Sequence, residues 1–242
     1  MGKENKKLRN MNLDRKIALA LTTCMPTLKF RLEYFHHRGR FPNLRNPKTW
    51  SEKLLWMNNS WQPEIKSICA DKYAVRDYVK DKGLEDILLP LLGTWTDAND
   101  INFDKLPNRF VLKANHGCAM NIICENKSLL DTKLVINKLN EWIKIDYGKR
   151  SGEKHYSYIK PRIICEEFLP VNNVSDIVDY KIHCFGGIPK FIGMCYDRVK
   201  GRVKGLIYSK DWKRLFYLKD DDENDNINMP KPVVLDYMLE IA

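Results

Sequence analysis

Three stretches of the sequence bring together residue types that could handle an anion. The first is RFVLKANHGCAMNIIC, residues 109–124. There Lys113 closes an apolar run, and Asn115, His116, Gly117, Cys118, Ala119 and Met120 follow before a second apolar run. A small-residue turn of this kind can aim successive backbone N–H groups at one anion, and the adjacent lysine points to phosphate. A glycine-containing hairpin that binds nothing has the same appearance. The second stretch is DKYAVRDYVKDKG, where Asp71 is a good helix N-cap and Lys72 falls in the first turn. A cation there opposes the helix dipole unless an anion is near, although a simply exposed lysine also fits. The third is RIICEEFL, residues 162–169, an apolar strand that ends on Glu166 and Glu167. Buried acids must find donors. Either Glu166 and the backbone of Glu167, Phe168 and Leu169 meet the amino edge of a nucleobase, or Glu166 forms a salt bridge to a neighbouring basic strand.

None of the familiar phosphate fingerprints is present. The pattern G-x-x-x-x-G-K-[ST] is absent, and Gly117 has no glycine partners at dinucleotide-binding spacing. Asp220, Asp221 and Asp222 match the D-x-D of metal-dependent glycosyltransferases, but they lie in an Asn-rich acidic stretch that also reads as a solvated linker. A calcium loop is excluded there by the missing turn glycine and terminal glutamate. Seven cysteines at irregular positions, with no C-x-x-C pair, form neither a disulfide framework nor a zinc site and fit a reducing cytoplasm.

The composition sets wider bounds. The chain of 242 residues can bury a substantial core as one domain or two lobes. No apolar run approaches the ~20 residues that span a bilayer. Lys3, Lys6, Lys7 and Arg9 precede a short apolar stretch, but Asp14, Arg15 and Lys16 abut it, so a basic amphipathic helix is expected rather than a signal peptide. Lys plus Arg number 41 against 31 Asp plus Glu, a formal charge of +10 that favours anionic partners: nucleotides, acidic polymers or the inner membrane leaflet, which the N-terminal helix could touch peripherally. No zinc finger, basic zipper or RNP-like aromatic signature points to nucleic acid.

The elements that must position these residues follow in order. Residues 36–47 read as an extended connection, and Thr49 with Glu52 makes a capping box opening a helix whose stripe of Trp50, Leu54, Leu55 and Met57 is expected in the core. The helix from Asp71 is expected to bury Val75, Tyr78 and Val79 and to stop at Gly83. Residues 88–93 read as a short buried strand, and 94–107 as a loop. Asp131 caps a helix with Val135, Leu139, Trp142 and Ile143 on one face. Residues 147–160 are expected to be a mobile loop. Strands over 179–185 and 190–196 are joined by Gly186 and Gly187 in a tight hairpin, and 206–209 with 213–218 make another. Pro232 starts a helix with Val234, Tyr237, Met238 and Ile241 on its apolar face. The sequence ends within that helix without a stop signal, so further natural sequence is expected after Ala242.

The order Asp71-Lys72, FVLKANHG, IICEEFL and DYKIHCFGGIPKFI resembles the ATP-grasp superfamily, and more closely its TupA-like branch, found with teichuronopeptide, capsular and cell-wall polysaccharide genes. The similarity runs from about Pro47 to the last residue. The resemblance implies an α+β fold in which two lobes with antiparallel sheets grip ATP. Its divisions would be a basic helical extension over 1–46, an N-terminal lobe over 47–108, a small lobe with the phosphate loop over 109–160 and an incomplete C-terminal lobe over 161–242. It also implies roles: Lys72 on the α-phosphate, Lys113 bridging α and β, and residues 115–120 closing over β and γ. Residues 166–169 would form the hinge at adenine, with Asp179 at the ribose and Lys181 at phosphate or substrate. Two departures stand out. Cys118, Ala119 and Met120 replace the glycines usual in the phosphate turn, and the magnesium ligands of the branch would fall after Ala242, so that this polypeptide would bind nucleotide but turn over poorly. The implied activity is ATP-dependent carboxylate–amine ligation through an acyl phosphate, with ATP, magnesium and a carboxylate-bearing saccharide or amino acid as partners. A nucleotide-sugar glycosyltransferase and an inactive nucleotide-binding remnant are the alternatives.

Overall fold

The computed structural model describes residues 26–169, 177–196, 204–216 and 227–242. The basic helix expected before residue 26 and the Asp220–Asp222 triplet lie outside them. The described chain is α+β, and it divides after Phe168 into two compact units.

Among its described residues the first unit opens with two longer helices, α1 (Pro26–Arg38) and α2 (Trp50–Ser60), and two short ones, α3 (Glu64–Ala70) and α4 (Val75–Asp81). Its sheet has the order β1-β4-β2-β3, all antiparallel, from β1 (Leu91–Trp95), β2 (Phe110–Ala114), β3 (Asn121–Cys124) and β4 (Ile163–Glu167). Strict alternation on β2 buries Phe110, Leu112 and Ala114 on one face, where Ile163 and Cys165 of β4 join them. Helix α5 (Thr132–Ile143), capped by Asp131, closes this core with Val135 and Leu139 buried and Trp142 and Ile143 packed against it, as its period predicts.

The second unit carries a second antiparallel sheet in simple meander order, β5 (Asp179–Phe185), β6 (Ile188–Tyr196), β7 (Lys204–Ser209) and β8 (Arg214–Leu215). Gly186 and Gly187, at φ of +59° and +75°, make the expected hairpin turn. A last helix, Leu235–Glu240, belongs to this unit. No helix among the described residues is long and apolar enough to cross a membrane.

Several expectations need correction. The capping box of α2 is present, but the stripe expected in the core is not buried: Trp50 is 57% and Leu54 41% exposed, whereas Glu52 is 1% exposed. The inward side is chosen by donors. Glu52 accepts from the N–H groups of Thr49, Lys48 and Asn43 at 2.9, 3.0 and 3.0 Å and from Arg40 Nη1 at 2.7 Å. The Thr49 N–H foremost, followed by Asn43, Arg40 and Lys48, holds this carboxyl far below the usual carboxylate range. A depressed pKa means that the stabilisation is present above the unfolded value of about 4.3 and is lost as pH falls toward the folded value. Glu52→Gln should therefore lower Tm at neutral pH, and the gap to wild type should narrow in thermal scans below about pH 4.3.

On α4 the expected buried face is not buried: Tyr78 is 37% exposed, and Val75 and Val79 are only half-buried. The first strand begins at Leu91, three residues later than expected, after a short 3-10 turn over Glu85–Ile87. Residues 147–160 are not a loop. They form α6 (Tyr147–Ser151), with Asp146 as N-cap and Gly152 in the left-handed C-cap, and then a 3-10 turn over Lys154–Tyr158. The two are locked by Ser157 Oγ donating to Asp146 Oδ1 at 2.6 Å and by the edge-on pair of Tyr147 and Tyr156. Finally, α7 (Leu235–Glu240) starts after Pro232 and buries Leu235, while Val234 and Tyr237 stay exposed.

Candidate functional site

Because Leu112 and Ala114 face the core, Lys113 must project from the opposite face of the first sheet. Val111 stands opposite Glu166 in the β2–β4 register, which makes Lys113 and Glu166 diagonal neighbours. Lys113 Nζ donates to Glu166 Oε2 at 2.5 Å. The other carboxylate oxygen accepts from Arg76 Nη1 at 3.0 Å, and Arg76 Nη2 also donates to the Leu89 carbonyl at 2.5 Å. One arginine thus joins α4, the approach to β1 and the end of β4. With Glu166 buried and held by two cations, the ion pair is the arrangement adopted by its side chain.

Contrary to expectation, Asp71 is not the N-cap of α4 and Lys72 is not in its first turn: α4 begins at Val75 with Ala74 as its N-cap, Asp71 caps the C-terminus of α3, and Lys72 lies in the turn between the two. Its backbone N–H donates to the Asn115 carbonyl at 3.2 Å, and its Nζ donates to the Gly117 carbonyl inside the turn. Burial foremost, with the charge of Lys113 also acting, lowers the Lys72 pKa. An ammonium group placed inside a turn with a carbonyl as its partner is suited to meeting an anion.

The turn itself is braced from within. Asn115 is fully buried and donates from Nδ2 to Asp71 Oδ1 at 2.8 Å and to the Lys160 carbonyl at 3.0 Å. Its Oδ1 accepts from the Arg162 N–H at 2.7 Å. Asp71 in turn accepts the Tyr73 N–H at 2.8 Å. Asn115 therefore acts as the pin that ties the turn to the Lys72 segment. His116 is buried too, its Nε2 donating to the Ile145 carbonyl at 3.1 Å, and burial lowers its pKa. The Ala114 N–H donates to the buried Met120's carbonyl at 3.0 Å and closes the loop.

Gly117 has no room for a side chain. A Cβ would collide with Met120 Cε and would stand 2.7 Å from two atoms of the Tyr147 ring. Gly117→Ala should therefore displace the turn from α6 and cost about 1–3 kcal/mol, read as a lowered denaturation midpoint. Ala119 occupies φ +58°, a left-handed position that normally suits glycine. Cys118 is exposed at the tip, its Sγ 3.5 Å from the Tyr156 hydroxyl.

At the end of β4, Glu167 is exposed and its N–H donates to the Pro90 carbonyl at 3.1 Å, while the Arg109 guanidinium stacks on Phe168 at 3.9 Å from the ring centre. Leu169 is the first residue of the second unit. Asp179 and Lys181 also belong to that unit, two apart on β5 and so on one face, with Lys181 Nζ 3.4 Å from Cys195 Sγ. The first unit by itself thus brings together Lys72, Lys113, Glu166 and the 115–120 turn.

Sequence reasoning missed Arg76 and the bracing by Asp71. The available signal for Arg76 was its place four residues after Lys72, beside the apolar positions of its helix. Its partner Glu166 lies 90 residues away, beyond any local pattern.

A mixed chain with two antiparallel sheets, one ending in a turn flanked by lysines, has the make-up of an ATP-grasp protein. Residues 52–242 match the family model described as TupA-like ATPgrasp, and the chain belongs to this family. No curated protein and no solved structure matches it.

Proposed function

We propose that the chain is an ATP-dependent carboxylate–amine ligase of cell-surface polysaccharide biosynthesis. The observation that carries this reading is the convergence of Lys72 and Lys113 beside one backbone turn, supported by membership of the TupA-like family. The chemistry ATP would supply is transfer of its γ-phosphoryl group to a carboxylate oxygen, releasing ADP; an amine then attacks the acyl carbon, and inorganic phosphate leaves.

The residues present fit a triphosphate. Lys72 would hold the α-phosphate, and Lys113 would reach the α- and β-phosphates by turning partly from Glu166. The turn formed by Asn115, His116, Gly117, Cys118, Ala119 and Met120 would lie over the β- and γ-phosphates. Here Asn115 and His116 fix the shape while backbone N–H groups meet oxygen. Fixed ammonium groups and oriented amides stabilise charge that builds up during phosphoryl transfer without reorganising. Glu166 serves as the counter-charge that aims Lys113, and the backbone of residues 167–169 would meet the adenine edge. Among the described residues no three His, Cys, Asp or Glu side chains come together, so magnesium, which ATP-grasp chemistry uses, is assigned no ligand here.

The test is oxygen transfer. A substrate carboxylate labelled with 18O should give up one labelled oxygen to the released phosphate if an acyl phosphate forms. Amide formation with unlabelled phosphate, or no ATP-dependent product with any carboxylate and amine pair, would overturn the ligase assignment.

A further inference from the structure

The charge of the chain is not spread evenly. Residues 1–53 hold 13 Lys and Arg against 4 Asp and Glu, whereas residues 54–242 hold 28 against 27, so +9 of the formal +10 lies within the first quarter of the sequence. Exposed large apolar side chains gather in the same region. Leu32 and Phe35 lie three apart on α1, and Phe41 stacks on Phe35 with ring centres 4.8 Å apart; all three are exposed. On α2 the exposed Trp50 and Leu54 lie four apart, on the side opposite the buried Glu52, and the exposed Trp61 follows at the helix end. The two helices are braced as one piece: the Tyr34 hydroxyl meets Thr49 Oγ1 at 3.2 Å, and Arg40 Nη1 donates to Glu52 Oε1 at 2.7 Å. Arg31, Arg38, Arg40, Arg45, Lys48 and Lys53 are all exposed on this piece, and the acids of residues 26–53 are only Glu33 and the buried Glu52.

We infer that this α1–α2 surface docks on an anionic lipid bilayer, with Leu32, Phe35, Phe41, Leu54 and Trp61 entering the boundary between headgroups and acyl chains and the surrounding cations facing lipid phosphates. Apolar side chains rimmed by Lys and Arg have the make-up of a surface that lies in the plane of a membrane. The apolar area gives the contact its depth, and each cation near a negatively charged leaflet adds about fivefold in affinity. Tryptophan, an apolar ring with one N–H, suits the level of the headgroups. Nucleic acid, the other common partner of a basic aromatic surface, fits less well. Bases stack on rings, and Leu32 and Leu54 offer them none, whereas acyl chains take aliphatic and aromatic side chains alike. Docking of this kind is independent of the ligase assignment and stands even if ATP never binds.

The test uses the full chain and two kinds of vesicle, phosphatidylcholine alone and an equal mixture with phosphatidylglycerol, read by co-sedimentation. The mixed vesicles should bind at least about tenfold more tightly than the neutral ones. Combining Arg38→Gln, Arg45→Gln and Lys48→Gln, all exposed positions, should weaken that binding by about tenfold or more. Mixed vesicles with brominated acyl chains should quench tryptophan fluorescence on binding. Combining Trp50→Phe, Trp56→Phe and Trp61→Phe should remove the quenching while Trp95, Trp142 and Trp212 still emit. Residues 1–25 contain no tryptophan, so the quenching reports on α1 and α2 rather than on the basic stretch before them. Failure to bind the mixed vesicles, binding without bromine quenching, quenching undiminished in the tryptophan variant, or tighter binding to a single-stranded oligonucleotide than to the mixed vesicles would overturn the membrane docking.

Discussion

Lys113→Ala should remove about half or more of the stabilisation that ATP confers on this chain. The substitution removes one charge-assisted phosphate contact worth roughly 1.5–3 kcal/mol, or about ten- to a hundredfold in affinity. At ATP a hundredfold above its dissociation constant, wild type should gain about 2.7 kcal/mol, and the variant only about 0.4–1.4 kcal/mol at the same concentration. The fold itself should tolerate the change, because Glu166 keeps Arg76 as its partner and the methylene stem of Lys113 is on the face away from the core. Thermal unfolding with and without ATP and magnesium reads both quantities. Equal ATP stabilisation in variant and wild type would remove Lys113 from the phosphate site.

Glu166→Ala should have the opposite profile, a large loss of stability with ATP binding retained. Its carboxylate is 11% exposed and faces two cations, Arg76 at 3.0 Å and Lys113 at 2.5 Å. Deleting it leaves two like charges in a partly buried place with nothing between them. Removing one member of a fully buried pair costs about 3–5 kcal/mol; the residual exposure of these groups reduces the expectation to about 2–3 kcal/mol. Arg76 still has the Leu89 carbonyl, so the damage should centre on Lys113. Glu166→Gln, which retains one acceptor oxygen, should lose roughly half as much in urea denaturation. Because the phosphates themselves supply negative charge, ATP should still stabilise Glu166→Ala. If ATP no longer did so, the Glu166 carboxylate would have to meet the nucleotide directly.

The parts of this architecture that could be read in the sequence are those carried by local periodicity. Alternation at Phe110, Leu112 and Ala114 fixed the inward face of β2 and, with it, the outward projection of Lys113. The Asp131 cap and the 3.6-residue period placed α5, and the Gly186–Gly187 pair placed the hairpin of the second sheet. What failed depended on polar and aromatic partners that no period records. The apolar stripe of α2 was a genuine period, but the N–H groups of Thr49, Lys48 and Asn43 and the Arg40 guanidinium, all in the residues just before the helix, drew Glu52 inward and left Trp50 outside. Residues 147–160 have no period at all. They are ordered by close approaches between the ends of the segment, the Asp146–Ser157 hydrogen bond, the Tyr147–Tyr156 contact and the tight packing of Gly148 on Ser157. The same limit applies to the site. The lysines and the turn were visible as residue types, whereas the bracing of Asn115 by Asp71 and of Glu166 by Arg76 links residues 44 and 90 positions apart.

The most direct test of the central claim, that Lys72 and Lys113 face the phosphates of bound ATP, is amine footprinting. The folded chain is labelled with a small acylating reagent with and without saturating ATP and magnesium, and modification at each lysine is quantified by mass spectrometry. Lys72, whose burial lowers its pKa, and Lys113 should both be protected by ATP, while the exposed Lys149 on α6 should label equally in both conditions. Unchanged labelling of Lys72 and Lys113 at an ATP concentration shown to saturate the protein would contradict the account.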